Sequence, residues 1–220
     1  VLAGTARADE GMWTFDDFPS AAVQQKYGVA IDGEWLDRVR LGVVRLENGC
    51  TGSIVSPEGL VLTNHHCAAS CIAQRSSPER DLLAKGFLAS TREAEERCET
   101  GRISVLVGSE NVTDAVASAT RGLDGEAAVA ARRAAQTRLE QECRAASEKD
   151  RRTGPLFCET VTLYQGGQSW LYKYKRYDDV RLVFAPEEAV GAFGGDPDNF
   201  QFPRWTFDVS LLRVYENGRP

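Results

Sequence analysis

Histidine is scarce in this sequence: 220 residues hold two, His65 and His66, side by side. Structural zinc sites draw four Cys or His ligands at short spacings. None of the cysteines here sits in a CxxC pair, so the spacing supplies neither a zinc knuckle nor a redox dithiol. No metal and no cofactor are implied. Positive charge is also in deficit. A formal net charge of -6 excludes a general nucleic-acid binder, which needs a basic face to neutralise phosphates. No apolar run approaches the roughly 20 residues that a membrane-spanning helix requires. Internal repeats and low-complexity linkers are absent.

Six cysteines are present: Cys50, Cys67, Cys71, Cys98, Cys143 and Cys158. An even set outside metal-binding spacing reads as disulfides, which form in an oxidising compartment. The first residues, VLAGTARA, place Ala6 and Ala8 ahead of acidic Asp9 and Glu10. That fits the small-residue pattern before a signal-peptidase cut. Residues 1–8 therefore read as a signal-peptide remnant, and the protein as exported, periplasmic or extracellular.

Gly11 to Tyr27 is aromatic-rich and irregular, and Ile31 to Arg40 fits a short helix. Strand-like pieces follow at Val43 to Leu46, Cys50 to Val55 and Leu60 to Thr63. They are separated by Asn48-Gly49 and Pro57-Glu58-Gly59, strong turn signals that predict successive hairpins. Helical signals occupy Ser77 to Ala84 and Thr91 to Arg97, and Ile103 to Val107 is another strand candidate. Gly125 to Asp150 is rich in Ala, Arg, Glu and Gln, without proline, and predicts one long helix with an alanine face packed on a neighbour. Strand signals return at Cys158 to Tyr164, Ser169 to Tyr174, Val180 to Phe184 and Phe207 to Tyr215, with a loop-like Gly191 to Pro203 between the last two. The expected fold is mainly β over residues 9–220, with a helical insertion at about 112–150.

The residues that carry chemistry begin with Thr63-Asn64-His65-His66-Cys67, at the end of an apolar strand, with Cys50 one hairpin earlier. This arrangement resembles the first β-barrel of chymotrypsin-like peptidases. The resemblance implies a Cys50–Cys67 disulfide that staples two strands and pins the loop aiming the imidazole. His66, beside the cysteine, takes the position of the general base, which must lie within hydrogen-bond reach of its nucleophile. His65 points elsewhere. The second element is Asp208, opening the apolar strand Val209-Ser210-Leu211-Leu212-Arg213-Val214. Coming after the histidine in chain order, it matches the carboxylate that accepts from the imidazole N–H and fixes the tautomer.

A more specific resemblance rests on Trp13, on the Cys50 to Cys67 block, on Val180-Arg181-Leu182-Val183-Phe184-Ala185-Pro186, and above all on Phe193-Gly194-Gly195-Asp196-Pro197-Asp198-Asn199-Phe200 through Asp208. Together these resemble the bacterial dipeptidyl-peptidase family that includes dipeptidyl-peptidases 7 and 11. The resemblance runs from about Gly11 to the end of the chain and covers the front third of a typical member. It implies a double β-barrel with a helical domain, and a serine exopeptidase that releases dipeptides from a free N-terminus. Asn199 and Phe200 then correspond to the positions that hold the substrate amine, by an amide oxygen and an aromatic face. Oligopeptides are the implied substrates, and a homodimer of the full-length protein stays open.

Chymotrypsin-type chemistry also needs a serine on a glycine-flanked turn, whose backbone N–H groups form the oxyanion hole. Ser53 precedes Ile54 and Ser169 precedes Trp170, and neither fits. The expectation is that the serine and the second barrel lie outside these 220 residues, which alone are inactive. An endopeptidase of the same fold and a non-catalytic peptide-binding module are the alternatives. The pairing of Cys71, Cys98, Cys143 and Cys158 stays open, with Cys71 to Cys98 and Cys143 to Cys158 as candidates.

Overall fold

The computed structural model describes residues 11–150, 153–191 and 206–220. Val1 to Arg40 and Leu41 to Pro220 form two separate compact units. In the first, a 3-10 turn at Phe15–Asp17 precedes helices α1 (Ser20–Tyr27) and α2 (Gly33–Gly42), the second running two residues past the boundary. Asp32 Oδ1 accepts from Trp35 N at 2.8 Å and so caps the start of α2. The expected short helix is present, shifted by two residues.

The second unit opens with three short antiparallel strands, β1 (Val43–Leu46), β2 (Thr51–Ile54) and β3 (Leu60–Thr63). The two turns between them use glycine for different reasons. Gly49 needs a positive φ of 88°, whereas Gly59, at φ 68°, also lies where a Cβ would approach Val214 O to 2.8 Å. Next come α3 (His65–Arg75), α4 (Leu82–Lys85), β4 (Phe87–Leu88), β5 (Glu96–Arg97) and the long β6 (Ile103–Asn111). Helices α5 (Thr113–Thr120) and α6 (Gly125–Ser147) interrupt the sheet. It resumes with β7 (Phe157–Leu163), β8 (Gln168–Tyr177) and β9 (Asp179–Ala185), then α7 (Glu188–Gly191) and β10 (Ser210–Tyr215).

All strand pairings are antiparallel, in the order β4-β9-β10-β3-β2-β1-β6-β8-β7, with β5 also on β9. The barrel expected from the sequence is not closed: no ladder joins the two ends of this order among the described residues. Instead β8 passes directly into β9 through Asp178, so consecutive strands sit far apart in the sheet order. A chain advances at most ~3.6 Å per residue, so this corner forces the sheet to curl. Arg102 Nε donates to Asp178 Oδ1 at 2.6 Å and ties the corner to the start of β6. The curl encloses the larger of two apolar clusters among the described residues, drawn from Val44, Val61, Ile103, Val180, Leu182 and Leu212 on five strands.

Two helical expectations are corrected. No helix fills Ser77 to Ala84, where Pro78 and a Ser77–Arg80 turn leave only the four residues of α4. Thr91 to Arg97 forms a 3-10 turn and then β5. The long helix is present as α6, about 34 Å at ~1.5 Å per residue, yet it fully buries only Ala135 and Ser147. Its alanine face is therefore not a tightly packed core. Leu139 and Cys143 pack it against a small second cluster of Val112, Val116, Cys158 and Leu171, and polar and covalent ties add to this: Cys143 is disulfide-bonded to Cys158, Arg144 Nη2 donates to Cys158 O at 2.9 Å, and Glu140 Oε1 accepts from Thr160 N and Oγ1 at 2.9 and 2.7 Å. No described helix is long and apolar enough to cross a membrane.

Candidate active site

His66 does not end a strand. β3 stops at Thr63, Asn64 turns in extended conformation (φ -77°, ψ 152°), and His66 lies in the first turn of α3. The buried face of α3 is His65, Cys67, Ala68, Cys71 and Ile72, a helical spacing made of residues with weak apolar signal. Two disulfides hold this helix. Cys50–Cys67 joins it to the turn between β1 and β2, so the bond staples a hairpin end to a helix and not strand to strand. Cys71–Cys98 joins its middle to the segment after β5. Asn48 Nδ2 adds a hydrogen bond to Cys67 O at 2.9 Å.

Asp208 enters from the segment just before β10, the strand next to β3, and the strand expected from Phe207 begins only at Ser210. Its Oδ2 lies 2.7 Å from His66 Nδ1, and its Oδ1 accepts from His66 N at 3.1 Å. The carboxylate thus caps the first turn of α3 from outside the helix, where the exposed N–H groups favour negative charge. Asn64, the residue at the helix start, uses its own side chain in the other direction. Its Nδ2 donates to Asp208 O at 3.1 Å and to Oδ2 at 3.3 Å. Burial alone would push the Asp208 carboxyl up, but the His66 N–H, the His66 ring and the His65 N–H together hold it below its ordinary value. The His66 side chain is 51% exposed against 14% for Asp208. With Nδ1 tied to the carboxylate, Nε2 is the nitrogen that can take a proton from another group.

His65 lies in the opposite environment, 4% exposed, with Nε2 lacking a hydrogen-bond partner among the described residues. Cys50, His66 and Cys67 bring one ligand atom each within 4.8 Å of one another. Their two sulfurs are bonded together and offer no thiolate to a metal. Asn199 and Phe200 lie outside the described residues, as does the 1–8 segment. Asn64 had no role assigned from sequence. The signal was there, since asparagine between an apolar strand and a helix is a favoured helix start.

The sequence pattern of the peptidase S46 family matches residues 8–220. This chain belongs to the peptidase S46 family. Among S46-related proteins, dipeptidyl-peptidase 7 of Capnocytophaga gingivalis is 34% identical over 100% of this chain and 31% of its own length. The Asp/Glu-specific dipeptidyl-peptidase of Shewanella putrefaciens is 33% identical over 100% of this chain and 30% of its own. The crystal structure of Porphyromonas endodontalis DPP11 in complex with substrate superposes with a TM-score of 0.79 at 27% identity, over 96% of this chain and 32% of that one. The S46 chain described here thus spans about a third of the length of the relatives it matches. Its antiparallel sheet with helices is the fold it shares with DPP11.

Proposed function

We propose that this chain is the front part of an exported serine-type dipeptidyl peptidase, in which His66 is the general base and Asp208 its orienting carboxylate. The observation that carries the reading is the 2.7 Å contact between His66 Nδ1 and Asp208 Oδ2, in a chain whose relatives are named dipeptidyl-peptidases. In this reading a serine on a second barrel, outside these 220 residues, presents its hydroxyl to His66 Nε2. The imidazole takes that proton as the oxygen attacks the scissile carbonyl, and returns it to the leaving amine. Asp208 keeps Nδ1–H pointing away from the substrate and stabilises the imidazolium that forms. Asn199 and Phe200 hold the free N-terminal ammonium, which limits cleavage to the second peptide bond.

Turnover of dipeptidyl reporter substrates by the full-length protein tests both halves of this. A free-amine substrate should be cleaved and its N-acylated counterpart should not, and His66→Ala should abolish cleavage. Equal turnover of both substrates would favour an endopeptidase. Full activity in His66→Ala would remove the assigned base.

A further inference from the structure

Both histidines reach Asp208 through their backbone N–H groups, yet their rings meet it by different routes. His66 touches the carboxylate directly. His65 is buried, and its ring lies beside Gly191, the last residue of α7. A Cβ at Gly191 would sit 3.0 Å from both Cγ and Nδ1 of that imidazole, closer than ordinary packing contact. Gly191 is not among the residues with positive φ, so glycine is favoured here by the tight space beside the ring and not by backbone conformation. One residue earlier, Val190 O accepts from Phe207 N at 3.0 Å, and Phe207 directly precedes Asp208. A closed circuit results: His65 ring, Gly191, Val190 carbonyl, Phe207 amide, Asp208 carboxylate, His66. A buried imidazole whose Nε2 has no partner among the described residues is a poor choice for plain core filling, where an apolar side chain carries no polar atom to satisfy.

We propose that His65 is a positioning residue for the His66–Asp208 pair: seated against Gly191, its ring sets the end of α7, and through Phe207 the place of the Asp208 carboxylate relative to His66 Nδ1. The proposal rests on the reading of His66 and Asp208 as base and orienting carboxylate. It acts on the geometry of the base and not on the substrate, so it should register in kcat and not in KM.

The test is steady-state kinetics of the full-length protein on a dipeptidyl substrate, with thermal melting of each variant alongside. Gly191→Ala forces a methyl against the unchanged ring. It should lower kcat by about tenfold, since misplacing a reacting group by a fraction of an ångström costs that order, with KM within about twofold. His65→Ala should lower kcat to a similar extent. The double variant, in which the methyl enters the space left by the ring, should regain at least half of the logarithmic loss. That recovery is the readout a merely structural role would not give. If Gly191→Ala fails to fold, His65→Ala alone decides by its split between kcat and KM. A folded single variant with wild-type kcat, a loss confined to KM, or a double variant no better than either single overturns the proposal. Asp208→Asn separates the two levels: wild-type kcat in that variant sinks the underlying reading, whereas a large loss there with no loss in His65→Ala sinks the His65 role alone.

Discussion

Asp208 holds His66 twice, by its ring at 2.7 Å and by its backbone N–H at 3.1 Å, using a different carboxylate oxygen for each. The same side chain therefore orients the imidazole and caps the helix that carries it. Asp208→Asn separates these jobs. An amide oxygen can still accept from the backbone N–H, so α3 keeps its cap and the protein should fold. The amide nitrogen then faces Nδ1 as a donor and favours the wrong tautomer. In the full-length protein kcat should fall by about four orders of magnitude, with a melting temperature close to wild type. A loss of less than tenfold would mean that another group orients His66.

Acid should weaken the same junction. The folded-state carboxyl of Asp208 is held below its ordinary value of 3.8, so in acid the unfolded chain takes up the proton first. The stability it contributes is complete above that ordinary value and is lost as pH falls through the lower folded value. Asp179, held down chiefly by its hydrogen bond from Arg181, follows the same sign, so Asp208 supplies one part of the acid limb and not all of it. Chemical denaturation at a series of pH values should show a shallower acid limb in Asp208→Asn than in wild type. The difference at neutral pH should be about 0.3–1 kcal/mol, the worth of a negative charge at a helix N-terminus, since the amide keeps the cap itself. Parallel acid limbs for the two proteins would contradict the assignment.

The strands around this junction were legible because their turns are chemically loud. Asn48-Gly49 and Pro57-Glu58-Gly59 punctuate β1, β2 and β3, and the observed strands begin and end within a residue of the expected ones. Helix α3 was not legible, because its buried face is His65, Cys67, Ala68, Cys71 and Ile72, of which only Ile72 gives a strong apolar signal. The burial of α6 was overstated for the converse reason: alanine spacing marks a helix but not what covers it. The sheet's open order could not be read locally, since it depends on β8 and β9 parting at Asp178 to opposite regions of the sheet. At the site, the His66 and Asp208 positions stood out from motif and chain order. Asn64 and Gly191 did not, because their partners lie 144 and 126 residues away in sequence.

Reduction should expose how α3 is held. The Cys50–Cys67 bond closes a loop with a sequence separation of 17, for which chain entropy gives about 3 kcal/mol. Cys50→Ser with Cys67→Ser should lose about that much stability in urea titrations. The paired change Cys143→Ser with Cys158→Ser opens a loop of similar size, separation 15, and should cost a similar amount. The two differ in what they anchor. Only the first frees the turn carrying His66, so in the full-length protein it should reduce kcat measurably while the second leaves kcat near wild type. Equal kinetic effects from both pairs would show that the hairpin staple has no special bearing on the site.

The strand that follows Asp208 is secured by a buried ion pair. Arg213 Nε donates to Glu95 Oε1 at 2.8 Å, with the two side chains only 10% and 3% exposed. Tyr215 OH donates to the other Glu95 oxygen at 2.7 Å, and Arg213 Nη1 donates to Glu58 O at 2.7 Å. Each Glu95 oxygen thus has a donor, and Arg213 has a second acceptor, the kind of satisfaction under which such a pair is tolerated. Removing one member leaves a buried charge uncompensated, so Arg213→Met should destabilise by about 3–5 kcal/mol. Glu95→Gln strands the Arg213 charge in the same way and should cost a comparable amount. The double variant Arg213→Met with Glu95→Leu leaves no stranded charge, so it should be more stable than Arg213→Met alone by about 2 kcal/mol or more. Urea denaturation of the three variants decides the matter. Additive losses in the double variant would mean that each residue stabilises β10 independently, by packing and not by pairing.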